Sequence, residues 1–176
     1  MTKIVLSIVL VLSIYIFSVN MNGNKSTDIS KDNVFGKLDG GKAPDFSLKS
    51  VEGKTIKLSD YKGKVVIIDF WATWCGPCRR GIPDLVSIQK EFKKDVVIIG
   101  ISLDGEKTIK DVPGFVKSYA INYPIVYGNE KVVNDYGGIE GIPTAFVVDK
   151  KGNVVDRHIG LVSKDTYVNK IKELLK

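Results

Sequence analysis

Both cysteines of the chain, Cys75 and Cys78, fall in one stretch, Trp74-Cys75-Gly76-Pro77-Cys78-Arg79, at the spacing C-x-x-C. Half of a zinc site, a structural disulfide and a redox-active dithiol share this spacing. Zinc would need two further soft ligands, and the chain offers no third cysteine and a single histidine, His158. A bridge between residues so close in sequence closes a small ring and constrains the unfolded chain little. A redox-active pair is the reading that remains.

The elements that must position the pair are legible on either side of it. Val65-Val66-Ile67-Ile68-Asp69-Phe70 is an apolar run of the kind that forms a buried strand. From Arg79 to Phe92, the residues Ile82, Leu85, Ile88 and Phe92 recur at helical spacing. The motif therefore sits where a strand turns into a helix. A thiol there feels unpaired backbone N–H groups and the positive end of the helix dipole, both of which favour the attacking thiolate. Pro77 suits the first helical turn, where its missing N–H costs nothing, and Pro83 is expected to kink the helix. Cys75, N-terminal in the motif, is expected to be the more exposed thiol and the nucleophile; Cys78, a turn further in, is the resolving thiol. Trp74, Gly76 and Pro77 form a flat apolar rim for an incoming peptide. Asp69, at the end of the buried strand, is either a solvated or capping carboxylate or a desolvated one. In the second case its pKa moves towards neutrality and it becomes a proton-transfer group. Trp71 reads as core or as a neighbour of the sulfurs.

The segment Asp69-Phe70-Trp71-Ala72-Thr73-Trp74-Cys75-Gly76-Pro77-Cys78, with Pro83, Gly141-Ile142-Pro143-Thr144 and Gly160 downstream, resembles the thioredoxins. It is most similar to their TlpA/ResA-like branch of membrane-tethered or periplasmic thiol-disulfide oxidoreductases. The resemblance implies a thioredoxin-like three-layer α/β/α sandwich with a central mixed sheet, an N-terminal hairpin and a helical insertion. It implies a cis Ile142–Pro143 bond opposite the redox pair, with the Ile142 backbone pairing an extended substrate and Gly160 letting that substrate approach. It also implies that Asp69 is the buried carboxylate of the thioredoxins. ResA-like members often carry Glu three residues after the second cysteine and usually lack the Asp, whereas this chain has Gly81 and Asp69. Acid–base assistance is accordingly expected at Asp69.

Dithiol–disulfide exchange needs no cofactor and no metal. The implied partners are exported proteins bearing disulfides, apocytochrome c among the candidates, and a membrane dithiol as electron donor. Two rival functions remain open. A metallochaperone or other non-catalytic binding module would use the pair without turnover. A peroxidase is suggested by Ala43-Pro44-Asp45-Phe46, a stretch shared with peroxiredoxins, but their Pro-x-x-x-Thr-x-x-Cys arrangement is missing.

The net charge of +6 comes mostly from lysines scattered through turns and helix faces, without the basic stripe and interleaved aromatics of a nucleic-acid binder. Ile4 to Val19 is apolar and, as a helix, would span about 24 Å. Residues 1–20 are thus expected to be an uncleaved signal-anchor, or else a signal peptide, since no A-x-A-like site follows. Residues 21–41 read as a polar, flexible linker and 42–176 as the catalytic domain, placed outside the cytoplasm by the resemblance. Within it Ala43–Leu48 and Thr55–Leu58 are expected as a hairpin about Glu52-Gly53. Asp95–Ser102 is the second buried strand, and a helix starts at Pro113. A short extended piece follows at Tyr123–Val126, then a helix over Glu130–Tyr136. Thr144–Asp149 and Val154–Gly160 form a second hairpin, and a final helix is capped by Ser163.

Overall fold

The computed structural model describes Leu38 and residues 40–176 of the 176-residue chain. The apolar run and most of the linker lie outside them; among the described residues no helix is long and apolar enough to cross a membrane. Among the described residues the strands and α-helices follow the order β1 (Ser47–Lys49), β2 (Thr55–Lys57), β3 (Val65–Trp71), α1 (Gly76–Glu91), β4 (Val96–Ser102), α2 (Val112–Ser118), β5 (Ile125–Tyr127), α3 (Glu130–Asp135), β6 (Thr144–Val148), β7 (Val154–Ile159) and α4 (Lys164–Leu175). The main sheet has the order β5-β4-β3-β6-β7. β3, β4 and β5 run parallel; β6 pairs antiparallel with β3, and β7 antiparallel with β6. This is the mixed sheet expected from the strand and helix pattern, and the thioredoxin-like arrangement that the resemblance implies.

The period of two sorts β3 onto two faces. Val65, Ile67 and Trp71 join one core with Ile82, Leu85 and Ile88 of α1 and Tyr167, Val168 and Ile171 of α4. Val66, Ile68 and Phe70 join the other, beneath the β1–β2 hairpin and α3, with Leu48, Val132 and Tyr136. Phe70, Tyr136 and Phe146 pack there with ring centroids 5.0–6.0 Å apart. Both faces of β3 and β4 are buried, which is why they read as unbroken apolar runs. Gln89 ties α1 to the start of β4: its amide donates to the Val96 carbonyl at 3.1 Å and accepts from Ile98 N–H at 2.8 Å.

The first hairpin departs from expectation. β1 begins at Ser47, not Ala43, because the Asp45 carboxylate accepts from Phe46 and Ser59 N–H and bends the chain out of register. Leu58 leaves β2 to open a 3-10 turn, Leu58–Tyr61. α1 runs on through Pro83 as one element. Pro113 does open α2, after a 3-10 turn at Ile109–Asp111. The Ser163 side chain accepts from Thr166 N–H and starts α4. Leu38 already packs in the core, and Gly40 N–H donates to the Val154 carbonyl, upstream of the expected boundary at Lys42.

Candidate active site

β3 carries the chain to one end of the sheet, and the residues that follow it turn directly into α1. Cys75 is the N-cap of α1, and its sulfur accepts from Cys78 N–H at 3.2 Å. Cys75 and Cys78 are joined as a disulfide with Cα atoms 5.3 Å apart. Across the site, Ile142–Pro143 is a cis peptide, and the Ile142 carbonyl oxygen lies 3.6 Å from Cys75 Sγ. Gly160 reaches the same place from the end of β7. Its φ of +85° is one that residues with a side chain rarely adopt, and its N–H donates to the Pro143 carbonyl at 2.7 Å. Trp74 is 60% exposed beside the pair, with Gly76 exposed and Pro77 half-buried.

One expectation is corrected. Cys75 is not distinctly the more exposed cysteine: the two are 4% and 3% exposed. The segment at Ile142–Pro143 approaches Cys75 from the side that would otherwise open to water. What distinguishes the two sulfurs is polarity, since the helix N-terminal amide points at Cys75. After reduction, limiting iodoacetamide at neutral pH is therefore expected to label Cys75 well ahead of Cys78. Peptide mass spectrometry checks this, and label mainly on Cys78 would reverse the two roles.

Asp69 shares a sheet face with Ile67 and Trp71, the face that holds the sulfurs. Its sheet neighbours are Gly100 and Ala145. It is 5% exposed, and burial pushes its pKa up from 3.8 to about 7. Burial, with the Asp69 charge, also raises the hydroxyl pKa values of Tyr123 and Tyr167, which stay protonated. Asp69, Cys78, Pro143, Gly160 and Tyr167 line one cleft of about 20 Å³, enough for a single water. Asp84, Gly81 and Leu161 line its outer part. Leu161 leans over Gly81 so closely that a Cβ at position 81 would stand 2.9 Å from its Cδ1.

Trp71 belongs to the core. It is buried, with Phe115 of α2 at 5.1 Å between centroids. Phe115 stacks on Tyr119 at 4.1 Å, and the Tyr119 hydroxyl accepts from Arg79 Nε at 2.9 Å. The insertion helix thus braces the start of α1. His158 is half-buried, edge-on to Tyr167 and 3.4 Å from Asp156, in register with Ala145 and through it with Asp69, two strands away.

Asp104 is a site residue that the sequence reading missed. It is 8% exposed just beyond β4, and its carboxylate accepts from Thr73 N–H at 2.9 Å, from the Thr73 hydroxyl and from the Ser102 hydroxyl at 2.9 Å. Leu103 N–H adds a bond to the Trp71 carbonyl at 2.8 Å. The loop that delivers Cys75 is pinned to the end of the neighbouring strand.

A model of the AhpC/TSA family matches residues 40–157. The chain is similar to the thioredoxin-like protein YneN of Bacillus subtilis, 36% identical over 137 residues that cover 77% of this chain and 80% of that protein. It is similar to the thiol-disulfide oxidoreductase ResA of Bacillus subtilis, 38% identical over 138 residues, 76% of each chain. Among solved structures it resembles a thiol:disulfide interchange protein of the thioredoxin family from Chlorobium tepidum. That match has a TM-score of 0.70 and 35% identity over 77% of this chain and 96% of the other.

Proposed function

The chain belongs to the AhpC/TSA family, as a thioredoxin-like thiol-disulfide oxidoreductase of the ResA type, and on that premise we propose that it reduces disulfides of exported proteins outside the cytoplasm. The observation that carries this reading is the position of the Cys75–Cys78 pair. It caps a helix whose amide points at Cys75, beside an exposed tryptophan and against the Ile142 carbonyl.

In the forward reaction the Cys75 thiolate attacks one sulfur of the partner disulfide. A mixed disulfide forms, and the other partner sulfur leaves as a thiolate. Cys78, giving up its proton, then attacks Cys75 Sγ; the Cys75–Cys78 bond closes and the second partner thiolate is released. Two electrons pass to the partner, and a dithiol donor at the membrane then reduces the Cys75–Cys78 disulfide, becoming a disulfide itself. Asp69 takes the Cys78 proton through the water that its cleft has room for. Trp74, Gly76, Pro77, Ile142, Pro143 and Gly160 form the surface on which the partner chain lies. Reduction of apocytochrome c is one assignment within this class. Residues 1–20 anchor the chain, with the catalytic domain on the outer side.

Cys78→Ser is expected to trap the mixed disulfide, because no resolving thiol remains. Mass spectrometry of captured protein identifies the partners. Capture of cytoplasmic proteins alone, or of none while Cys75 still reacts with iodoacetamide, would overturn the extracytoplasmic reductase.

A further inference from the structure

We propose that the end of the domain opposite the redox pair is a docking surface for an anionic lipid bilayer, holding Cys75 and Cys78 outermost. β3 and β4 run parallel and both end at the active site, so their starts define the opposite pole, about 20 Å away along the seven-residue β3. The end of β6 and the start of β7 lie at this pole too, since Val148 pairs with Val66 and Val154.

Here a cavity of ≈ 490 Å³ has an apolar floor that includes Leu58, Val66 and Val148, and it is lined by Lys42, Lys62, Lys64 and Lys151. Gly63 N–H bonds the Lys150 carbonyl and Val65 N–H bonds the Asp95 carbonyl. Those bonds bring Lys150, Lys93 and Lys94 to the same end. Among the described residues none of Lys62, Lys64, Lys93, Lys94 and Lys150 enters an ion pair. Apart from Glu91, which ends α1 and is paired with Lys164 at 3.2 Å, four carboxylates share the pole. Asp45, Asp60 and Asp149 are committed to backbone N–H groups of their own turns, and Asp95 is the fourth. Seven ammonium groups against four carboxylates leave this end positive.

The chain also enters here. Gly40 N–H donates to the Val154 carbonyl and Ala43 N–H to the Gly152 carbonyl, so the described chain begins at the basic pole. The proposal rests on the anchoring read for residues 1–20. A domain tethered beside acidic headgroups turns its positive face to them, which leaves Trp74 and the Ile142 carbonyl to partners rather than to lipid.

The test uses the full chain reconstituted into vesicles of phosphatidylcholine alone or with phosphatidylserine added. Flotation reports anchoring. A water-soluble amine-acylating reagent, read by mass spectrometry, reports orientation. Labelling of Lys150 and Lys151, relative to Lys107 and Lys110 at the redox end, is expected to fall about threefold or more with the anionic lipid. Molar salt should restore it, and so should the variant Lys62→Gln/Lys64→Gln/Lys94→Gln. A chain that floats with both vesicles but labels identically overturns the docking surface and leaves the anchor standing. Protection that is the same on uncharged vesicles and resists salt also overturns it. A chain that floats with neither removes the anchor and this proposal together.

Discussion

Asp69→Asn is expected to give a protein that is more stable at neutral pH and slower in disulfide exchange. The unfolded carboxyl titrates near 3.8 and the folded one at about 7. Between those values the folded chain holds a proton that the unfolded chain has lost. Stability therefore falls as pH rises through this window and levels off above it. Full expression of the difference corresponds to about 4 kcal/mol, and Asn removes it while keeping the shape. Wild type and variant should have nearly equal stability at pH 4, then diverge to a plateau above about pH 7. Chemical denaturation across that range measures the divergence. The exchange rate should move the other way, falling by about 10² or more if Asp69 acts as the base for Cys78. The variant should also lose the rise in rate through neutral pH. Parallel stability curves for the two proteins would mean that Asp69 is solvated. A stabilised variant with unchanged rates would leave it buried but idle.

The second large effect is expected at Asp104. Asp104→Ala leaves the Thr73 N–H and hydroxyl, which are partly buried, and the buried Ser102 hydroxyl without their acceptor. Each such loss costs about 1–3 kcal/mol, so a destabilisation on the order of 3 kcal/mol is expected from denaturant melts. Asp104→Asn keeps the shape but turns one acceptor into a donor, and should lie between. The loop that Asp104 holds also delivers Cys75 to the helix amide. The pH at which reduced Cys75 alkylates at half its maximal rate should therefore rise in Asp104→Ala. A variant that melts earlier yet alkylates with the wild-type profile would show that Asp104 supports the fold without setting the nucleophile.

The core of the site was legible in the sequence because its determinants are local. The apolar run of β3, the helical spacing of α1 and the two cysteines at their junction lie within thirty or so consecutive residues. Asp69 was legible for the same reason, as a carboxylate inside a strand with no polar neighbour. Asp104 was not, because an aspartate after a strand looks like any loop residue until Thr73, 31 positions earlier, is brought against it. The equal burial of the two cysteines was hidden likewise: the group beside Cys75 comes from Ile142, 67 residues on. The lysines read as scattered because Lys42, Lys64, Lys94 and Lys151 are neighbours only after the strands align. Ala43–Leu48 misled for the opposite reason. Its alternation is a fair strand signal, overridden by a side-chain bond from Asp45 to the turn that follows.

The contact of Leu161 with the bare backbone of Gly81 couples two positions that are eighty residues apart in sequence. The end methyl of Leu161 stands where a side chain at 81 would begin, and Leu161 is exposed enough to turn aside for one. A glutamate placed at 81 has to displace the leucine before its carboxylate can reach the cleft. Once there, it would sit with Asp69 as a second negative charge and push that group's proton affinity higher still. Moving the proton-handling group from the strand to the helix therefore involves three positions, 69, 81 and 161, and at 161 a turn of the exposed leucine side chain is enough to admit the acid.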